Sequence, residues 1–184
     1  MKASCELIVA SSWDGRPLPP EEHARLRLRL TGRHLRIALS APFHDDPPPA
    51  TEPGPTAGLW EHEVVELFIA GTPNDDEPGS GVPYTEVELG PWGHHLVLRL
   101  RGVRHVVEQG LPLAFRSWRR GGRWWGAARL DCGLLPPPPW RVNAYAIHGV
   151  GDERRYAAAT PLPGEQPDFH QPQHFAPLPL RAEE

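Results

Sequence analysis

Cysteine, methionine and long apolar runs are all scarce in this chain of 184 residues. The two cysteines, Cys5 and Cys132, stand in no CxxC or Cys/His zinc spacing, which argues against a structural zinc site. Met1 is the only methionine, so this chain cannot hold a haem iron through methionine. No window approaches the ~18 apolar residues of a membrane span, and the N-terminal apolar run is broken by Glu6. These absences favour a soluble cytoplasmic protein.

A strong positive charge is also lacking. The formal net charge is −4 and the pI is near 6.2, which argues against general binding of nucleic acid or of anionic membranes. No P-loop, GxGxxG or serine nucleophile elbow occurs. Residues 116–125 mix arginine with tryptophan, as single-stranded nucleic-acid binders do, but an ordinary hairpin with a basic tip has the same composition. We predict no nucleic-acid and no membrane partner, and no pattern predicts the oligomeric state.

What the chain does contain is a series of short segments in which apolar residues alternate with polar ones. In residues 24–30, Leu26 and Leu28 would face one way and Arg25 and Arg27 the other, which is the pattern of a half-buried strand. Similar segments lie at 34–40, 60–70, 84–89, 94–101, 113–118, 124–130, 141–148 and 154–159. About nine or ten short strands, with one helical turn at most at 131–135, predict an all-β, antiparallel β-sandwich of jelly-roll type.

Proline and glycine punctuate these strands. The chain has 24 prolines and 18 glycines, and prolines cluster at 47–49 and 136–139. The length fits one domain. We therefore predict a single β-sandwich domain over residues 1–184, with long loops at 43–58 and 71–83 and an extended proline-rich tail at 161–184.

Residues 58–70 carry the strongest functional signal, because carboxylates and Trp60 are placed among the apolar residues of a strand. Alternation would put Trp60 and Glu66 on one face, and Glu86 and Glu88 share a face of the segment 84–89. Clustered carboxylates need a cation or a shared proton. Three interpretations are open: arginines of neighbouring strands neutralise the acids on a solvated face, the acids line a concave ligand site, or they perform acid–base catalysis.

Calcium is a candidate cofactor, since it is bound by carboxylate and carbonyl oxygens at irregular spacing. The loop acids Asp45, Asp46 and Asp75–Glu77 could contribute ligands. The simpler interpretation is that they are ordinary charged residues of solvated loops, which need no metal. No EF-hand spacing is present.

The ten histidines raise the question of a transition-metal site. His148, His170 and His174 lie in the C-terminal part, and Asp168 precedes His170 by two residues. Two interpretations stay open for this set: a metal-binding triad, or hydrogen bonds that pin the tail to the sheets. His148, Asp168 and His170 also count as candidate ligand-binding residues.

Several blocks of the chain, in their order and spacing, resemble a family of uncharacterised proteins that has an animal branch. The blocks are Trp13-Asp-Gly, Leu59-Trp-Glu-His-Glu-Val-Val-Glu-Leu-Phe, Tyr84-Thr-Glu-Val-Glu-Leu, Asn143-Ala-Tyr-Ala-Ile-His-Gly and Pro167-Asp-Phe-His. More distantly, the Trp60…Val-Glu-Leu-Phe segment, the Tyr84-Thr-Glu-Val-Glu segment and the Asp168-Phe-His segment are similar to the family 9 carbohydrate-binding modules, which are β-sandwiches that bind sugar ends between two tryptophans and carry calcium ions.

The distant resemblance implies a role for particular residues. Trp60 would stack on the ligand, and Glu66, Glu86 and Asn143 would make polar contacts. The chain departs from these modules at Tyr156-Ala-Ala-Ala, where they offer a second aromatic residue. The resulting prediction is a non-catalytic binding module for a glycan or another small polar ligand. The alternatives are an enzyme that acts on a carbohydrate-like substrate through a Glu/His/Asp site, and a protein-interaction domain that uses the proline-rich loops.

Overall fold

The computed structural model describes residues 2–73, 81–178 and 181–182, which contain fourteen strands and five single 3-10 turns. The strands are β1 (Lys2–Val9), β2 (Ser11–Ser12), β3 (Ala24–Thr31), β4 (His34–Pro42), β5 (Val64–Ala70), β6 (Pro83–Leu89), β7 (His95–Arg101), β8 (Val106–Gln109), β9 (Ala114–Arg120), β10 (Arg123–Asp131), β11 (Arg141–His148), β12 (Arg155–Ala158), β13 (Ala176–Pro177) and β14 (Arg181–Ala182). The 3-10 turns are Pro20–Glu22, Leu59–Glu61, Cys132–Leu134, Gly151–Glu153 and Pro172–His174. No helix in these ranges is long and apolar enough to cross a membrane.

The strands form two antiparallel sheets. One sheet has six strands in the order β14-β1-β3-β4-β10-β9, and the other has eight, in the order β2-β12-β11-β5-β6-β7-β8 with β13 added beside β11. The predicted all-β, antiparallel fold is thereby confirmed. The predicted helical turn exists at Cys132–Leu134, where the Asp131 side chain accepts a hydrogen bond from the Gly133 amide. Four further 3-10 turns accompany it in the described residues, because proline and glycine also tighten other loops.

The core between the two sheets is made by the inward residues of each strand. In β3 and β4 the leucines other than the half-buried Leu30, together with Ile37, are buried, and the arginines between them are exposed, as the alternation predicts. The facing residues of the eight-stranded sheet, Val65, Leu67 and Ile69, are also buried. These side chains pack into one apolar cluster with Val87, Leu89 and Trp124. Burial of this cluster is the main force that holds the sheets together.

A second apolar cluster covers the outer face of the eight-stranded sheet. Phe68, Tyr84 and Tyr145 project from β5, β6 and β11 and are fully buried. The C-terminal tail supplies the cover, because Phe169 and Phe175 pack on this face. Phe169 stacks on Tyr145 with ring centroids 3.8 Å apart, and the Tyr145 hydroxyl donates to the Phe169 carbonyl at 3.3 Å. The eight-stranded sheet is therefore packed on both faces.

The structure differs from the sequence prediction in three places. The predicted strand 60–70 begins only at Val64, because Gly58 takes a left-handed conformation (φ 74°) and starts a 3-10 turn that contains Trp60. Strand β1 pairs with β3 although its alternation is weak, and β8 is an exposed edge strand with no apolar face. The predicted acid cluster Asp75–Glu77, much of loop 71–83 and the end of the tail lie outside the described residues.

Candidate functional site

A cleft of about 680 Å³ opens on the outer face of the eight-stranded sheet, beside the part that the tail covers. Its apolar wall consists of Leu98, Leu100 and Ile147 from β7 and β11. Aromatic side chains, acids and cations from other elements complete the lining; they are Trp60, Tyr156, Phe169, Glu66, Glu86, Arg104, Arg154 and His170. An apolar cleft with a few convergent polar groups is the usual form of a small-molecule site.

Three buried glutamates, which we call the glutamate triad, lie together at this part of the sheet: Glu66 and Glu86 line the cleft, and Glu88 lies beside them. Glu66 lies opposite Glu88 in the pairing of β5 with β6, so their side chains project from the same face. Each of the three offers a carboxylate oxygen within 4.8 Å of the others. They are 2%, 3% and 0% exposed. Among the described residues, one oxygen of Glu86 and both of Glu88 have no hydrogen-bond partner.

Burial determines the protonation of the triad. It raises the pKa of Glu86 to about 8. Burial, followed by repulsion from the neighbouring carboxylates, raises the pKa of Glu66 and of Glu88 well above the usual range. Arg154 opposes this effect at Glu66. The triad therefore retains protons at neutral pH, because three buried carboxylates cannot all ionise side by side.

The interpretation that strand arginines neutralise these acids on a solvated face is wrong. Arg25, Arg27 and Arg36 project from the six-stranded sheet and lie on the opposite outer face of the molecule. Arg99 of β7 is paired instead with Glu108 at 2.6 Å. The charge of Arg154 is felt at Glu66, where it lowers the pKa of the carboxyl group. The sequence did not point to this arginine.

Trp60 stands at the rim of the cleft with 46% of its surface exposed. The backbone that carries it is held by Arg154, whose guanidinium donates to the carbonyls of Trp60, Glu61 (2.9 Å) and His62 (3.4 Å). The same group donates to the Gly149 carbonyl at 3.0 Å. Arg154 thus ties the Trp60 turn to the end of β11. This clamp keeps the exposed indole in place without burying it.

The opposite side of the cleft is formed where the tail meets Arg104. Arg104 donates to Asp168 at 3.0 Å, and Asp168 also accepts from the His170 amide at 3.1 Å. The His170 ring forms a 2.8 Å hydrogen bond with the Tyr84 hydroxyl. Burial, followed by the charge of Arg104, lowers the pKa of His170 to about 4. His170 is therefore a neutral hydrogen-bonding group on the cleft wall, and Asp168 orients Arg104 from behind.

The predicted site residues do not form one site. Trp60, Glu66, Glu86 and His170 line the cleft, while Glu88 lies in the triad beside Glu66. Two others lie elsewhere.

Asn143 is buried under the tail, and its amide is fully engaged. It donates to the Tyr145 hydroxyl and the Thr160 carbonyl and accepts from the amides of Thr160 and Ala144, all at 2.8–2.9 Å. His148 lines a different cavity, where its ring stacks on His44. Within the described residues, His170 and His174 join no group with metal-ligand spacing, so the alternative of a metal-binding triad of His148, His170 and His174 is not supported.

Sequence reasoning missed Arg104, Arg154, Tyr156 and Phe169 as parts of the cleft. Tyr156 could have been found from the sequence, because it lies in the predicted strand 154–159, two residues after Arg154. Its presence also supplies a second aromatic side chain to the cleft that holds Trp60. The role of Arg154 left no trace in the sequence, because its partners are backbone carbonyls.

Calcium, which the distant resemblance implies, has one chemically suitable set of ligands among the described residues. The triad offers carboxylate oxygens, the ligands that calcium prefers, and several of them lack a partner. The loop acids fit less well, since Asp46 already accepts a hydrogen bond from the Gly149 amide at 2.6 Å. Glu66, Glu86 and Glu88 are therefore the residues that would hold a calcium ion, which would offset their mutual repulsion.

Comparison with known proteins gives a consistent result. No family model matches the sequence. The mouse protein "UPF0462 protein C4orf33 homolog" is 40% identical over 178 residues, covering 92% of this chain and 88% of its own length. The human protein "UPF0462 protein C4orf33" is 41% identical over 175 residues, covering 91% and 84%. The zebrafish homologue is 35% identical over 187 residues, covering 96% and 90%.

A solved structure shares the fold. It is that of a candidate carbohydrate-binding protein from Bacteroides uniformis, with a TM-score of 0.69 and 17% sequence identity, and the match covers 94% of this chain and 84% of that one. At this identity the similarity establishes the fold alone.

Proposed function

This chain belongs to the UPF0462 protein family, and we propose that it binds a small polar ligand, with a glycan as the leading class, in the cleft of the eight-stranded sheet. The observation that carries this proposal is the position of Trp60. A half-exposed indole is held by the Arg154 clamp beside a cleft whose lining includes Glu66 and Glu86. If a ligand packed against this indole, the apolar surface of the ring would be removed from water, which would favour binding.

The polar groups of the cleft suit a ligand rich in hydroxyl groups. A protonated carboxyl both donates and accepts a hydrogen bond, so Glu66 and Glu86 could bind adjacent hydroxyls without carrying full charge. Arg104 adds donors to the lining, and Tyr156 adds a second ring. A sugar, with one apolar face and several hydroxyls, matches this combination. The similarity in fold to a candidate carbohydrate-binding protein supports the same class.

The spacing of the acids favours binding over glycoside hydrolysis. Hydrolases place two carboxyl groups ~5–10 Å apart on either side of the scissile bond. Here the glutamates lie side by side on one face of the sheet, with Glu66 directly opposite Glu88, so they do not flank a bound ligand from two sides. The observation that keeps an enzyme as the second candidate is the raised pKa of Glu86, about 8, which leaves a protonated acid at neutral pH. Turnover of any bound glycan, measured by release of reducing ends, distinguishes the two.

The structure gives less support to an interaction domain that would use loop 43–58. This loop is tied to the sheet: Thr56 donates to the His95 carbonyl and the His95 amide donates to the Gly54 carbonyl, both at 2.9 Å. His94 also contacts the Thr51 carbonyl at 2.9 Å. A loop held in this way presents a fixed surface and no free peptide.

The test is a glycan array, followed by calorimetry of any hit with and without calcium. Trp60→Ala is compared with Trp118→Ala, because Trp118 is equally exposed (47%) but lies on the six-stranded sheet. We expect wild type and Trp118→Ala to bind alike and Trp60→Ala to bind at least ~10-fold more weakly. The absence of any hit, or equal binding by Trp60→Ala, would refute the proposal.

A further inference from the structure

A second cluster of chemically active side chains lies outside the cleft, at the end of the sandwich where β4 and β11 finish. Glu22 comes from the 3-10 turn before β3, His44 follows β4, and His148 ends β11. They line a separate cavity of about 340 Å³. Neither the proposed function nor the triad uses these residues, so the inference below stands independently of both.

The three side chains lie close enough together to share one metal ion. One ligand atom from each residue lies within 4.8 Å of the other two, and the carboxylate of Glu22 lies 3.8 Å from Nε2 of His44. The rings of His44 and His148 are stacked, parallel within 3° and with centroids 3.5 Å apart. Their nitrogen lone pairs therefore lie in parallel planes, and one ring must rotate out of the stack for both to bind the same ion, around which the ligand atoms would be ~3.3 Å apart.

The backbone under each ligand is held by other contacts, so the chain segments that carry the three side chains are already in place. Glu63 accepts hydrogen bonds from the amides of His44 (3.1 Å) and Asp46 (3.4 Å). The carboxylate of Asp46 accepts from the Gly149 amide at 2.6 Å, which connects the loop of His44 to the end of β11 beside His148. Outer contacts of this kind typically orient metal ligands.

The turn that carries Glu22 is fixed as well. The Arg123 guanidinium donates to the carbonyls of Glu21 (3.0 Å) and His23 (2.9 Å), the two neighbours of Glu22. Three ligands from three chain segments are therefore held by contacts that need no metal.

A neutral imidazole offers a nitrogen lone pair to a metal ion, so each of the two histidines can contribute one ligand atom. The charged groups that face the cavity are Glu22, Glu63 and Arg155, and Arg155 is engaged with Glu153 at 3.2 Å.

We infer that Glu22, His44 and His148 bind one divalent transition-metal ion, for which Zn²⁺ is the best fit. Two imidazoles and one carboxylate form a set that zinc accepts and that calcium and magnesium do not favour. Three protein ligands leave a position open for water or for a small ligand in the cavity.

The experiment is calorimetric titration of the untagged, chelator-treated protein with Zn²⁺. We expect one site per chain with a micromolar or lower Kd, and no competition from Ca²⁺ for that site. His44→Ala and His148→Ala should each weaken binding at least ~10-fold, since even the loss of an outer contact costs about that much. Glu22→Gln should weaken it less. His105→Ala is the control, because His105 is exposed and lies in the turn before β8.

Co²⁺ absorption provides a readout that a structural role for the histidines would not change. The visible bands of protein-bound Co²⁺ should be present in His105→Ala and lost in His148→Gln, a variant that keeps the size of the side chain. Circular dichroism verifies that each variant is folded. The inference is overturned if no one-to-one Zn²⁺ site is found, or if folded His44 and His148 variants bind Zn²⁺ as wild type does.

Discussion

The two sheets share one core on their inner faces, but their outer faces differ in exposure and in charge. The outer face of the six-stranded sheet is exposed and basic; it carries Arg25, Arg27, Arg29, Arg36, Arg116 and Arg129. The outer face of the eight-stranded sheet is apolar, covered by the tail, and contains the glutamate triad. Charged side chains that remain in water keep their ordinary solvation, whereas the triad is desolvated and its pKa values shift.

This difference explains the environment of the candidate site. A covered face can place carboxyl groups in a low-dielectric setting, where their protons and hydrogen bonds respond to a ligand. The tail leaves part of that face open, and the opening is the cleft beside Trp60. The candidate site thus lies where the tail stops covering the outer apolar cluster of the eight-stranded sheet. It is not formed by a loop added to the fold.

The largest expected effect tests whether the outer face of the eight-stranded sheet is a true core. Phe68→Ala removes a fully buried ring that contacts Tyr84, Tyr145 and Phe175. We expect the free energy of unfolding to fall by about 3–5 kcal/mol in urea denaturation. Leu67→Ala, one residue away and directed into the core between the sheets, is the comparison and should lose about 2–5 kcal/mol. A loss below ~1 kcal/mol for Phe68→Ala would show that the tail does not protect this face.

The same comparison explains how far sequence reasoning reaches. In β3 and β4 the alternation of leucine with arginine correctly predicted which side chains are buried. In β5 every residue is buried, and alternation alone cannot show this because the cover comes from the distant tail. Glu66 among apolar residues was the one local sign of an unusual environment.

The remaining parts of the site depend on contacts that no local pattern encodes. Arg154 acts through backbone carbonyls, which every residue possesses. His44 and His148 meet only because the ends of β4 and β11 lie together in the sandwich. Asn143 was expected to contact a ligand. In the structure its side-chain amide makes four hydrogen bonds within the protein, which hold the chain around Thr160 against β11. The sequence does not distinguish these two roles of a buried amide.

The second effect concerns pH and the triad. Glu86 has a higher pKa in the fold, about 8, than its ordinary value of 4.5, so the folded state binds this proton more tightly. The stability that it contributes is complete below about pH 4.5 and is lost as the pH rises towards 8. Glu86→Gln removes this dependence. We expect the variant to gain about 1–3 kcal/mol relative to wild type between pH 5 and pH 7.

Urea denaturation of both proteins at several pH values measures this difference. The comparison with wild type is necessary because two histidines change the stability with pH in the opposite direction. The pKa values of His148 and His170 are lowered to about 4 in the fold, so the stability that they contribute is lost as the pH falls from 6.5 to 4. Both proteins share that contribution, so it cancels. Parallel stability curves would mean that Glu86 is ionised in the folded protein.

A smaller effect tests the clamp under Trp60. Arg154→Ala removes donors to the carbonyls of Trp60, Glu61, His62 and Gly149. We expect a loss of about 1–2 kcal/mol and faster hydrogen exchange of the Glu61 and His62 amides, which close the Trp60 turn. Arg155→Ala is the matched control, since its bonds reach only residues 152–154. Unchanged exchange in Arg154→Ala would show that the turn holds Trp60 without the clamp.

The smallest effect belongs to the exposed basic face. Arg36 of β4 lies directly opposite Arg29 of β3 and Arg129 of β10, so three like charges form a row across the sheet. Like charges at opposed positions destabilise a sheet slightly. Arg36→Thr removes the central charge and places a good strand former there, so we expect a gain of up to ~0.5 kcal/mol at low salt.

Added salt should erase most of this gain, because it screens charges that are exposed to solvent. The two outer faces are thereby compared with one measurement: substitution of a covered residue such as Phe68 should cost several kcal/mol at any salt concentration, whereas substitution of Arg36 should be nearly neutral and salt-dependent. If Arg36→Thr instead lost more than ~1 kcal/mol, the basic face would be a structural surface in its own right. The contrast between an open face and a covered one would then no longer explain why the acids, and not the arginines, are unusual in this fold.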